Sequence, residues 1–292
     1  MIRPRRTMLF MPGSNARALE KAKLLPADGL ILDLEDAVAP DAKAQARDQI
    51  AQAVAGRGYG PREVLVRINA LDSPWWLDDL AMAAKAKPDG VLVPKVSNVA
   101  QLATIADRLA ALGADANLRV WIMLETAAGV LHAEELASQR ADAKMRLEGF
   151  VFGPNDISRE TGIRMLPGRP TMLPMILHCV LAARAHGLAA MDGPYGDIAN
   201  VDGFAAECAQ ARDLGFDGKT LIHPGQIEAC NAAFTPPAAE IAQARAILAA
   251  FERPENHGRG AIQLDGRMVE RLHAEIAKKT IAIADAIETM GR

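Results

Sequence analysis

Two acids stand out because of where they fall in the chain. Glu125 directly follows the apolar run Arg-Val-Trp-Ile-Met-Leu at 119–124. Asp156 comes shortly after a second run, Gly-Phe-Val-Phe at 149–152, that Gly153-Pro154 brings to a stop. A carboxylate where a buried strand meets a loop is costly unless something pairs with it. On neighbouring parallel strands the two would lie side by side and offer hard oxygen ligands to a cation. Each could equally be a cap for the helix or turn that follows.

Further chemistry-bearing residues close similar runs. Asp33, Glu35 and Asp36 follow the run from Gly29, Arg67 and Asn69 the run from Glu63, and Lys95 the run from Gly90. Asn155 adjoins Asp156, Asp192 ends a weaker run at 188–192, and His223 ends the run from Gly218. No Cys or His falls at ligand spacing from the two acids, so Glu125 and Asp156 favour Mg²⁺, which keeps waters and takes further oxygens from a substrate. Arg67 is a permanent planar cation suited to a substrate carboxylate or an enolate oxygen, or else a structural partner of Asp33 or Glu35. Asp33, Glu35 and Asp36 are too many acids for all to touch one metal; they read as groups behind it that hold water and orient Arg67, or as structural acids. Lys95 could form a Schiff base, but the acids around it favour a paired, protonated amine. His223 either polarises a carbonyl or caps its strand.

Placing these residues together requires a particular scaffold. Eight short apolar runs alternate with Ala-rich amphipathic stretches at 16–25, 41–54, 74–86, 99–112, 172–186 and 201–214. Near-continuous apolar strands alternating with helices predict a parallel sheet under a helical layer, and eight is the number that closes a barrel. The predicted fold is therefore α/β, a (β/α)8 TIM barrel, whose strand ends would gather the polar residues at one mouth. No G-x-G-x-x-G follows the first run, which weakens the alternative of a dinucleotide-binding open sheet. Residues 1–235 are assigned to the catalytic barrel. Residues 236–292 form a C-terminal helical extension, with helices at 238–251 and 268–290 and a loop at 253–260.

Composition narrows the function classes. The 292 residues carry a net charge of −3 and are 50% hydrophobic, with no long basic run. That balance argues against a nucleic-acid partner, and no apolar stretch approaches the ~20 residues of a membrane span. Cys179, Cys208 and Cys230 are odd in number, widely spaced and set in helical patterns. They read as buried thiols of a cytoplasmic protein.

Taken together, the motifs resemble the citrate lyase beta-subunit-like branch of the HpcH/HpaI aldolase superfamily, which includes malyl-CoA and citramalyl-CoA lyases. The likeness runs from about Arg5 to about Ile276. It rests on Leu9-Phe-x-Pro-Gly13 with Arg17 and Lys21, Leu32-Asp-Leu-Glu-Asp36, Val66-Arg-Ile-Asn69, Val93-Pro-Lys95, Glu125-Thr-Ala-Ala-Gly129, Phe152-Gly-x-x-Asp156 and Ile222-His-Pro224. The resemblance implies a Mg²⁺-dependent barrel that cleaves or forms a C–C bond between an acyl thioester and a 2-oxo acid, and a homotrimer or hexamer. It matches Glu125 and Asp156 to the metal ligands and Arg67 to the arginine holding the 2-oxo acid and enolate. Phe10 and Lys21 match contacts to the CoA nucleotide, although Asn15 stands where an arginine is expected. Leu264-Asp-Gly-Arg-Met268 matches a terminal segment that crosses to a neighbouring subunit and delivers an aspartate, here Asp265, as proton carrier. The resemblance leaves open a citrate lyase beta subunit acting on a carrier-protein thioester, a thioesterase relative, and a Mg²⁺-dependent 2-oxo-acid aldolase that uses no thioester.

Overall fold

Strand parity decides which side chains can meet inside the molecule. The computed structural model describes residues 3–291. Its first eight strands are β1 Thr7–Pro12, β2 Gly29–Asp33, β3 Glu63–Arg67, β4 Gly90–Val93, β5 Arg119–Leu124, β6 Leu147–Phe152, β7 Ala189–Asp192 and β8 Gly218–Leu221. They close in chain order into a parallel barrel, with β8 paired to β1. Met8, Ile31, Leu65, Leu92, Trp121, Met123, Val151, Ala189 and Met191 fill the interior. Their neighbours along the strands, such as Leu9, Leu30, Leu32, Val64 and Val66, belong to the larger core beneath the helices. That two-residue period carries the inward face on to Phe10, Asp33, Arg67 and Glu125 at the carboxyl ends. At the opposite end Arg5 pairs with Glu63 at 2.5 Å and Glu148 at 3.2 Å, its guanidinium 4.9 Å from the Trp121 ring centre. This is the face of such barrels that serves stability.

Two strands end short of the polar residues that mark their runs: β4 stops at Val93, before Lys95, and β8 at Leu221, before His223. The residues beyond leave the ladder to form the mouth, and Lys95 does so through a left-handed backbone at φ 56°. Between β5 and β6 the chain also makes two short helices, Ala127–Leu131 and Ala133–Ser138, which the apolar pattern alone did not announce.

Parity also removes one acid from the mouth. Asp192 faces the helical layer, where it accepts from Lys219 Nζ at 2.7 Å and from Arg169 Nη1 at 2.7 Å. Lys219, wholly buried, also donates to Glu207 at 2.7 Å. Removing one member of a buried charge network strands the others. Lys219→Met is therefore expected to destabilise the protein by about 3–5 kcal/mol, read from denaturant unfolding. A loss of less than about 1 kcal/mol, the range of an exposed pair, would show that this network is dispensable.

Arg5–Phe234 forms one compact unit; Thr235 onwards, with Arg3 and Pro4, forms a second. The second unit holds helix Ala238–Glu252, the antiparallel strands β9 Ala261–Leu264 and β10 Arg267–Glu270, and helix Arg271–Thr289. The final helix thus begins three residues later than the sequence pattern suggested, because 267–270 is a strand. Asp265 and Gly266 have φ of 48° and 76°, the two left-handed residues of a tight hairpin turn. Ile262 and Val269, cross-strand partners, turn one face inward against Ala250. Among the described residues no helix is long and apolar enough to cross a membrane, and Cys179, Cys208 and Cys230 are buried free thiols.

Candidate active site

Neither Glu125 nor Asp156 is a helix cap. Thr126 caps the helix after β5, its hydroxyl accepting the Gly129 N–H at 2.9 Å. Gly153 occupies the cap position after β6, which leaves Asp156 within the first turn of helix Pro154–Thr161. Glu125 and Asp156 both face a cavity of about 330 Å³ at the barrel mouth, together with Phe10, Asp33, Asp36 and Arg67. Glu125 is 1% exposed. Burial, aggravated by Glu35 and Asp156, pushes its carboxyl up to about 8. Asp156 has a partner on its own helix, its Oδ1 accepting from Arg159 Nη2 at 2.5 Å.

Arg67 is fixed from several sides. Asp33 and Arg67 are register partners across β2 and β3, which lets the carboxylate take Nε at 2.6 Å and Nη2 at 2.7 Å. Nη1 lies 2.8 Å from Glu35 and 3.5 Å from Asp36. The Phe10 ring sits under the guanidinium at 4.8 Å. Burial alone would favour the neutral arginine, but Asp33, Glu35 and Asp36 outweigh it and hold the cation. In return Arg67, with N–H donors from Glu35 and Ala37, keeps Asp33 below the usual carboxylate range despite its burial. Glu35 goes the other way, raised by burial and by the neighbouring Asp36. Its second partner is the ammonium of Lys95, so that lysine is paired as the crowd of acids suggested.

Three further residues shape or support the mouth. Met123 lies two residues before Glu125 on the same inward face, its Sδ 3.9 Å from Arg67 Nη1; strand parity would have found it. Gly153 leaves room for Glu125, since a Cβ there would fall 2.4 Å from the Glu125 Cβ and 2.7 Å from Oε2. Lys43 is buried and donates to the carbonyls of Leu34 at 2.6 Å and Glu35 at 2.7 Å, pinning the acidic loop. Nothing in its helical sequence context singles it out.

The other candidates are distributed differently. Asn155 is exposed and lies where this cavity meets a larger one of about 670 Å³. His223 Nδ1 accepts the Gly225 N–H at 3.1 Å, so it caps its turn, while Ile222 before it faces the cavity. Lys21 is exposed on helix Ala16–Ala22. Asn69 belongs to Asp79, to which its side chain donates at 2.6 Å. Asp265 is exposed at the hairpin tip of the second unit.

The chemistry of the donor set is that of a hard cation. Among the described residues no group of three or more His, Cys, Asp or Glu side chains is arranged to hold a metal. Glu125 and Asp156 would hold such an ion, with water and substrate oxygens as its further ligands. Fold and mouth together define a (β/α)8 barrel whose cavity is lined by two carboxylates and one fixed guanidinium. More narrowly, residues 6–224 match the family described as HpcH/HpaI aldolase/citrate lyase, and the chain belongs to it.

Relatives extend over nearly the full length. A (3S)-malyl-CoA thioesterase of Cereibacter sphaeroides is 48% identical over 284 residues, 97% of this chain and 96% of the relative. An L-malyl-CoA/beta-methylmalyl-CoA lyase of the same organism is 34% identical over 309 aligned positions, covering 98% and 96%. The crystal structure of CitE from Mycobacterium tuberculosis, in complex with magnesium, acetoacetate and coenzyme A, superposes with a TM-score of 0.75 at 30% identity, covering 97% and 98%.

Proposed function

We propose that the protein is a Mg²⁺-dependent lyase that cleaves, or forms, a 3-hydroxyacyl thioester such as malyl-CoA or citramalyl-CoA, yielding an acyl-CoA and a 2-oxo acid. The observation that carries this reading is the placement of Arg67, locked by Asp33 and Glu35, in the wall of the cavity that Glu125 and Asp156 also face. Glu125 and Asp156 would hold the ion, which when bound supplies Lewis-acid polarisation of the substrate's hydroxyl or keto oxygen. Arg67 binds the oxyanion that develops as the C–C bond breaks, with its donors already oriented and its desolvation complete before substrate arrives. In the cleavage direction the hydroxyl gives its proton to water, its oxygen forms the C=O of the 2-oxo acid, and the pair of the broken C–C bond passes to the thioester α-carbon as an enolate. Asp265, reaching the site from a neighbouring subunit of a homotrimer or hexamer, relays a proton from water to that carbon. Phe10 and Lys21 would contact the CoA nucleotide and Asn155 the substrate, while His223 serves as the cap of its turn. Asp33, Glu35, Asp36 and Lys95 act from behind.

The test is turnover of the purified protein with (S)-malyl-CoA and (S)-citramalyl-CoA, with Mg²⁺ and with EDTA. Metal-dependent release of glyoxylate or pyruvate together with acyl-CoA is the expected result. The malyl-CoA thioesterases at 45% and 48% identity favour a second reading. Release of free CoA and the intact hydroxy acid would establish that one instead. Silence with both substrates, in a protein that still binds Mg²⁺ and a 2-oxo acid, would point to the carrier-protein lyase subunit or the plain aldolase.

Gly153 gives an independent check on the metal site. Gly153→Ala places a methyl group where the Glu125 side chain lies. Displacing a ligand's support typically costs 10–100-fold in metal affinity, and at least a tenfold weaker Mg²⁺ isotherm is expected from calorimetry. Unchanged affinity would remove Glu125 from the ligand set.

A further inference from the structure

Lys95 combines two features that are seldom found together. It is a non-glycine residue held at φ 56°, a left-handed conformation that side chains with a Cβ disfavour. In that conformation its backbone N–H points at Glu125, donating to Oε1 at 2.8 Å. Its side chain runs the other way, to Glu35, whose other oxygen lies 2.8 Å from Arg67.

Strained backbone persists where its surroundings over-determine it, and here they do. Val96, the next residue, is fully buried. Ser97 Oγ is 2.8 Å from Thr126 Oγ1, and the Ser97 carbonyl is 2.8 Å from His132 Nδ1. Gly129 packs so closely on this loop that a Cβ would meet the Val96 carbonyl at 2.5 Å. Every one of these partners lies just beyond β5, in the segment that begins with Glu125. The loop after β4 and the acid-bearing end of β5 are therefore built as one piece.

We propose that Lys95 is a positioning residue whose left-handed backbone N–H holds Glu125 Oε1 and so fixes the orientation in which the carboxylate meets a cation, while its ammonium fixes the Glu35–Arg67 pair. The inference rests on the metal site proposed above. The two halves of the residue then act separately, the backbone setting the ligand and the side chain setting the oxyanion holder.

Substitution distinguishes the two halves. Lys95→Gly keeps the N–H, accepts the left-handed conformation without penalty and removes the ammonium. Lys95→Val also removes the ammonium but resists φ above zero. By calorimetry on the full-length protein, Lys95→Gly is expected to bind Mg²⁺ within about threefold of the parent, and Lys95→Val about 10–100-fold more weakly. Both are expected to lose kcat, because Glu35 is no longer tethered. Lys95→Thr, also β-branched, makes the same comparison should the valine variant not fold, while Lys95→Ala, which carries no more Cβ than the parent lysine, is expected to bind the ion as the glycine variant does. Equal Mg²⁺ affinity in the glycine variant and the β-branched variant would overturn the backbone role. Parental kcat in Lys95→Gly would overturn the side-chain role. A parent protein that itself binds no Mg²⁺ would instead sink the metal site.

Discussion

Arg67→Lys is expected to lower kcat/KM for the acyl thioester by about 10²–10³-fold, the range for losing one preorganised oxyanion donor, while the fold and Mg²⁺ binding survive. The reason is geometric. Arginine satisfies Asp33 with Nε and Nη2 and still has Nη1 to present to Glu35 and the cavity. A lysine ammonium is a compact point charge that cannot span the same fork. It would go to one acid, and the oxyanion would lose its donor. Deleting the charge altogether is a poorer experiment. Arg67→Met would leave Asp33 and Glu35 buried and facing each other, at a cost of about 3–5 kcal/mol, so lost activity could reflect lost structure. Steady-state kinetics, a melting curve and a Mg²⁺ isotherm on Arg67→Lys separate these effects. Activity within about threefold of the parent, against the fold-changes expected of an oxyanion donor, would mean that Arg67 only balances its acids.

Much of this site was legible before the structure because strand ends are marked in the sequence. Apolar runs closing on Asp33, Arg67 and Glu125 carry both the strand and its inward parity, and the barrel turns that parity into convergence. The same runs misplace Asp192, whose position at the end of β7 looks equivalent. One residue of parity turns it towards Lys219 and Arg169 instead. Residues that act through the backbone leave little trace. Lys95 reads as a charged side chain, and its left-handed φ is fixed by Ser97, Thr126 and His132, which no local pattern connects. Lys43 is similarly silent, an ordinary helical lysine that burial turns into a pin for the loop carrying Glu35. The hairpin of β9 and β10 was half visible. Asp265-Gly266 is a strong turn signal, but Met268 onwards also fits a helical period, and the pairing of Ile262 with Val269 is what decides for strand.

That hairpin carries the second large effect. Asp265→Asn keeps the turn, because asparagine tolerates the left-handed conformation as well as aspartate does, and it removes the carboxylate. If Asp265 carries the proton to the enolate carbon, turnover is expected to fall about 10²–10⁴-fold with Mg²⁺ affinity unchanged. A mixing experiment then distinguishes whose barrel it serves. Arg67→Lys subunits have an intact hairpin and a damaged mouth, and Asp265→Asn subunits the reverse. If each hairpin serves a neighbouring subunit, hybrid oligomers contain some sites built from two undamaged halves. Random assembly at equal amounts makes these roughly a quarter of all sites, so activity is expected to return to about that fraction of the parent. If each hairpin serves its own barrel, every site keeps one defect however the subunits assemble, and mixing restores nothing. Rescue therefore requires both that Asp265 is catalytic and that it crosses between subunits. Full activity in Asp265→Asn alone would leave Asp265-Gly266 as no more than the turn that joins β9 to β10.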